Sequence, residues 1–168
     1  MKLSELMKNI TPSEEFAGFV TADDMVLAID TTVAQNAEVS DYAVVQSGIS
    51  GIDPSIDSET KDSQYIRAGK STTKTGTQRK FKVSGDMYIG DDAQDFLLSH
   101  RMKYGTGQTV IINYVFFNML TGKGEKGKAT VSVKEDGSGN SGENAGIEFE
   151  LSKSGDAPEE YTYSSAAE

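Results

Sequence analysis

Apolar side chains fall in strand patterns in six segments of this chain and at helical spacing in two. "MVLAIDTTV" (25–33) and "YAVVQSGIS" (42–50) read as strands, and "QNAEVSD" supplies turn residues between them. "QRKFKVSGDMYI" (78–89) alternates cleanly, with Phe81, Val83 and Gly85 on one face and Lys80, Lys82 and Ser84 on the other. That is the pattern of a half-buried strand. "QTVIINYVFFNML" (108–120) and "KATVSVKED" (128–136) follow, joined by "TGKGEKG", and "AGIEFELSKSG" (145–155) comes after "GSGNSGEN". Residues 159–168, "EEYTYSSAAE", form a tail that places Tyr161 and Tyr163 on one face when extended.

The two helical patterns differ in strength. Residues 2–9 set Leu3, Leu6 and Met7 on one side of a short helix that Thr11-Pro12-Ser13 ends, a length that is marginal in water by itself. "GDDAQDFLLSHRMKYGTG" predicts one helix over about 91–104. Asp91 or Asp92 caps it, Arg101 and Lys103 lie near its end, and Gly105 stops it. Ala93, Phe96, Leu97 and Tyr104 give it an apolar stripe for covering a sheet. With no internal repeat, the fold class is mainly β, a sandwich or barrel with one flanking α-helix.

From Gly51 to Gly76 the large apolar residues thin out to Ile52, Ile56, Tyr65 and Ile66 among Ser, Thr, Asp and Lys. A polar stretch this long within a small domain is functional or disordered. It suits an extended hairpin arm, with Tyr65, Arg67 and Gly69 on one side and Gln64, Ile66 and Ala68 on the other.

Composition narrows the function. The 168 residues allow one domain, and with no cysteine there are neither disulfides nor thiolate metal sites. The longest apolar run, Val110 to Leu120, is broken by Asn113 and Asn118 and falls short of the roughly 20 residues of a membrane helix. Glu5 and Lys8 interrupt the N-terminus where a signal peptide needs apolar residues, so the expectation is a soluble protein made in the cytoplasm. A net charge of −10 disfavours tight nucleic-acid binding. Residues 1–60 carry two lysines against eleven acids, residues 61–82 seven cations against one acid, and residues 135–168 one lysine against nine acids. A basic middle between acidic ends fits either a solvated face or head-to-tail self-association.

Each candidate for chemistry falls short of its pattern. Gly69-Lys70-Ser71 ends like a phosphate-binding loop, but Gln64 stands where the first glycine belongs and a poor helix former follows. Gly122, Gly124 and Gly127 match a dinucleotide spacing but precede a strand, so a flexible basic hairpin loop is expected. Asp136, Ser138 and Asn140 resemble a calcium loop, yet Ser141 and Ile147 occupy its glycine and bidentate-acid positions. His100 is the only histidine and has no Cys or second His with which to share a metal. The chain is therefore expected not to be an enzyme and to need no cofactor or metal.

"VVQSGISGIDPSID", "RAGKSTTKTGTQRKFKVSGD" and "GDDAQDFLLSHRMKYGTGQ" carry a resemblance that runs from about Val20 to Tyr163. The chain resembles the major tail tube proteins of long-tailed, non-contractile (siphovirus-type) bacteriophages of Gram-positive bacteria. The resemblance implies a single tail-tube domain over 1–168, with an N-terminal arm (1–20), an inter-ring loop (about 51–77) and a C-terminal tail (156–168). It implies a structural virion protein, assembled in the host cytoplasm, whose six-membered rings stack into a hollow tube. The partners would be further copies of itself, the tape-measure protein, the tail-tip initiator complex and the tail terminator. Double-stranded DNA would pass through an acidic lumen without sequence-specific binding. On this reading Arg67, Lys70, Lys74, Tyr161 and Tyr163 are inter-ring contacts, and Asp30, Glu38, Glu148 and Glu150 are candidate lumen-facing acids. The alternative is a monomeric β-sandwich for binding, adhesion or capsid decoration.

Overall fold

The near-continuous apolar run at Val26–Ile29 is explained by burial on both faces of the strand it forms. The computed structural model describes residues 1–164. Eight strands form one antiparallel sheet: β1 (Met25–Ile29), β2 (Ala43–Val44), β3 (Ile49–Tyr65), β4 (Gly69–Asp86), β5 (Ile111–Asn118), β6 (Lys123–Ser138), β7 (Gly146–Lys153) and β8 (Glu159–Thr162). Their order is β2-β1-β5-β6-β7-β4-β3, with β8 added to the first half of β6.

The sheet curls so that its inner face encloses the main core. Leu27 and Ile29 from β1, Ile112, Tyr114 and Phe116 from β5, and Phe149 and Leu151 from β7 meet there. Phe81 on β4 reaches across to β5, with ring centroids 5.1 Å from Tyr114 and 5.0 Å from Phe116, both edge-on. The alternation read from 78–89 holds: Phe81 and Val83 are buried while Lys82 is exposed. A cleft of about 510 Å³, lined by Met25, Val26, Val44, Ile49, Ile52 and Phe116 among others, marks the seam between the β1–β2 edge and β3.

A second core lies on the outer face of β1 and β5. Val26, Ala28, Val115 and Phe117 point outward and are covered by Leu3 and Met7, with Tyr42 and Val44 beside them. The N-terminal helix α1 (Leu3–Leu6) with the turn Met7–Asn9 is thus held by packing, not by its own propensity.

Four sequence expectations are corrected. The strand from Met25 stops at Ile29, because the buried Asp30 carboxylate accepts from the Thr32 amide (2.8 Å), the Thr32 hydroxyl (2.6 Å) and the Ala37 amide (3.3 Å) and turns the chain. The strand from Tyr42 is interrupted after Val44 by a turn that needs Gly48 at φ 70° before β3 begins. The single helix over 91–104 is two, α2 (Asp92–Leu97) and α3 (His100–Tyr104), separated by Ser99 in an extended conformation (ψ 154°). The break buries Met102 and leaves Tyr104 exposed, contrary to the expected stripe. Lastly, "GKGEKG" is strand rather than flexible loop. Gly124 lies against the Phe116–Phe117 backbone, where a Cβ would come within 2.1 Å of the Phe116 carbonyl oxygen.

Phe81 is buried and joins β4 to β5 across the core, so Phe81→Ala is expected to lower stability by about 3–5 kcal/mol, with Phe81→Leu costing less. Urea unfolding of the three proteins measures it.

Candidate assembly surfaces

β4 pairs with β7 from Lys80 to Asp86, whereas β3 stays beside β4 as far as Gly69. From Arg79 outward the two strands are therefore a free ribbon, about 33 Å long at roughly 3.3 Å per residue. The ribbon turns at Ile66–Ala68, with Arg67 at φ 66° and Gly69 at φ 75°. The glycine of Gly69-Lys70-Ser71 thus supplies a left-handed turn position. Because residues 66–68 turn, the alternation expected through Tyr65, Arg67 and Gly69 does not extend across the tip.

Paired residues share a face, and a bulge near Thr75 resets the register. Asp62, Lys70, Thr72 and Lys74 consequently lie on one side of the distal ribbon, with Lys61, Ser63, Tyr65 and Thr73 on the other. The Lys70 ammonium sits 2.7 Å from the Asp62 carboxylate, which also accepts from the Thr72 hydroxyl at 2.7 Å. These two hydrogen bonds, Lys70 first, hold the Asp62 carboxyl below its ordinary value. Lys70 therefore spends its charge within the arm. Arg67 and Lys74 form no ion pair within 4 Å among the described residues.

Where the ribbon meets the body, Arg79 closes the core. Its Nε donates to Glu125 Oε1 at 2.8 Å, and both side chains are largely buried (12% and 24% exposed). The guanidinium lies 4.5 Å from the Phe81 ring and 5.3 Å from Phe116, and the Tyr114 hydroxyl donates to the same Glu125 oxygen at 3.2 Å. Burial and then the Glu125 charge push the Tyr114 phenol well above its usual value. The sequence reading missed this cluster. Its signal was present, since Arg79 shares the inward parity of Phe81 and Val83.

The two tail tyrosines lie close together on the body of their own chain. Tyr161 meets Phe117 edge-on at 5.7 Å and Tyr163 stacks on it at 5.8 Å, while the Tyr163 amide donates to the Gly122 carbonyl at 2.7 Å. Both rings, partly buried, pack against the outer core. The last four tail residues, 165–168, lie outside the described residues.

The four candidate acids do not share a surface. Asp30 is fully buried and ties down the turn after β1, which removes it from any lumen-facing set. Glu38 is exposed at the start of the Val39–Asp41 turn, over the β1–β5 side. Glu148 and Glu150 stand together on the outer face of β7, alternating with buried Ile147, Phe149 and Leu151. Glu148 is 3.1 Å from the Lys82 ammonium, so that face mixes both signs. His100 lies exposed on α3, its ring 4.8 Å from Tyr104, and among the described residues no three His, Asp or Glu side chains gather as a metal site.

No protein-family description matches the chain, and no curated protein sequence matches it significantly. Solved structures do. A chain from the tail of an empty GTA particle, obtained by helical refinement with C6 symmetry, superposes with a TM-score of 0.59 at 15% identity. The match covers 86% of this chain and 100% of that one. A chain from the virion of a native gene transfer agent particle gives 0.55 at 12% identity, covering 87% and 100%. At such identities the likeness is one of fold.

Removing either side of the Arg79–Glu125 pair leaves a charge with little solvent, so Arg79→Ala is expected to cost about 1.5–3 kcal/mol. The Arg79→Met, Glu125→Gln double variant should lose less than the sum of the two single changes. Denaturant unfolding of the wild type, Arg79→Met, Glu125→Gln and the double variant gives the coupling, with Arg79→Ala measured beside them.

Proposed function

We propose that this protein is a structural subunit of a phage-type tail tube, in which six copies close into a ring and rings stack into a hollow cylinder. The observation that carries the reading is the fold's likeness to a chain of a tail with C6 symmetry, matched over that chain's whole length. Two features of the subunit support it. The path of the sheet ends at one side on β3, a 17-residue strand with an open outer edge, and at the other on the two-residue β2, whose outer edge is taken by Met1–Leu3 of the same chain. Open edges invite pairing with another chain, and closing them through neighbouring copies removes that liability. The arm points the same way. A two-stranded ribbon with polar faces is marginally stable in water, and a neighbour that covers it supplies what it lacks.

On this reading the tube belongs to the virion tail and is assembled in the host cytoplasm. It encloses a tape-measure protein, starts from a tail-tip complex, ends at a terminator, and conducts double-stranded DNA without sequence-specific contacts. Glu148 and Glu150 are the acids on an exposed sheet face that remain suited to a lumen wall. Of the three candidate arm cations, Arg67 and Lys74 are the ones left for inter-ring contacts, and Lys61 joins them as an arm cation with no ion pair among the described residues. Single exposed ion pairs contribute only about 0.2–1 kcal/mol each, so sixfold repetition is what makes them count.

Purified protein at rising concentration is expected to form hollow rods of uniform width by negative-stain electron microscopy, with light scattering rising in step. A single monomeric species at every concentration, including after tail-tip proteins are added, would contradict the tube and favour a monomeric binding module.

A further inference from the structure

β4 carries an exposed apolar feature at each end. At one end is the arm tip, where Ile66 is 94% exposed beside a half-exposed Tyr65. The distal arm, residues 60–75, holds Lys61, Arg67, Lys70 and Lys74 against the single acid Asp62. At the other end the chain leaves β4 at Asp86 and makes a bend that exposes Tyr88 (56%) and Ile89 (84%). This bend is firmly built. The Gln94 side chain, itself buried, accepts from the Tyr88 amide at 2.9 Å and donates to the Asp86 carbonyl at 3.1 Å and to the Ser47 carbonyl. The Gly90 amide donates to the Asp95 carboxylate at 3.1 Å, and the Met87 amide donates to the Ala145 carbonyl at 2.8 Å. A buried glutamine thus holds two large apolar side chains out in solvent, which nothing in the single chain explains. Residues 86–95 contain four acids and no Lys or Arg, and three of those acids, Asp86, Asp92 and Asp95, are exposed.

The two features cannot meet within one molecule. Gly69 and Asp86 are the ends of one strand, roughly 55 Å apart at about 3.3 Å per residue. They are complementary in charge and both apolar at the centre, the arrangement of a head-to-tail interface that propagates from copy to copy. We propose that the arm tip of one copy docks on the Tyr88–Ile89 bend of a second copy. Ile66 packs against Tyr88 and Ile89, while Arg67 and Lys74 face Asp86, Asp92 and Asp95. The proposal rests on the tube reading above and names the surface that receives the arm.

The absence of native cysteine makes the contact directly testable. Ile66→Cys and Ile89→Cys are introduced together and singly, and assembled protein is oxidised and run on a non-reducing gel. Disulfides form only where Cα atoms come within about 7 Å. The double variant is expected to give a ladder of multimers, a co-assembled mixture of the two single variants to stop at dimers, and either single variant alone to stay monomeric on the gel. Separately, Arg67→Glu with Lys74→Glu should cut tube yield at least tenfold, and adding Asp86→Lys with Asp92→Lys to the same chain should restore it. Tubes of native width that give no ladder would overturn the proposal, as would dimers from Ile66→Cys alone. If the double-cysteine chain fails to assemble while the wild type does, the charge exchange decides, and failure to restore yield overturns the docking. A wild-type chain that makes no tubes contradicts the tube reading itself, which the parallel wild-type sample reveals separately.

Discussion

The structure turns on the point where β4 leaves the core. Phe81 is the last fully apolar side chain on that strand's inward face, wedged edge-on against Tyr114 and Phe116 across the sheet. Two residues further out the same face presents Arg79, whose guanidinium lies over those rings and bonds Glu125. An aromatic wedge followed by an ion pair lets one 18-residue strand be core at one end and solvent-exposed arm at the other. The wedge joins β4 to β5 across the core, and the ion pair fixes the root from which the arm projects. An apolar residue in place of Arg79 would leave the Glu125 carboxylate without its ionic partner. The charge ends the core without ending the strand.

Much of this was legible in the sequence where one face of a strand is buried, because period-two alternation reports that burial directly. Residues 78–89 are the clearest case, and the mainly β class followed from several such segments. The features that escaped were set by tertiary contact. Asp30 lies in an acidic region and looked available to solvent, but three hydrogen bonds from the following turn bury it. Ser99 breaks an otherwise good helix because packing Met102 inward rewards the break, and no local pattern encodes that. Gly124 looked like a mobile loop glycine when it is a close approach of two strands. The arm's existence could be read from its polarity. Which of its cations are free could not, since the Lys70–Asp62 pair depends on the ribbon's register.

Charge then acquires a geometry. The segregation of cations into residues 61–82 becomes a basic ribbon projecting from one end of the subunit, and the acids of residues 86–95 gather at the other end of the same strand. Leu3 and Met7 near one end of the described chain, and Tyr161 and Tyr163 near the other, cover the outer face of β1 and β5. In the proposed tube, the polarity of β4 serves stacking and the open edge of β3 serves lateral closure.

In the proposed tube the arm links one layer of subunits to the next and is dispensable for the subunit itself. Sedimentation velocity on the full chain and on a chain whose residues 60–75 are replaced by an Asn-Gly turn tests this most directly. The account predicts long polymers from the full chain, and from the shortened chain a folded protein that stops at a discrete species no larger than one ring. A shortened chain that polymerises as readily as the full one would contradict it.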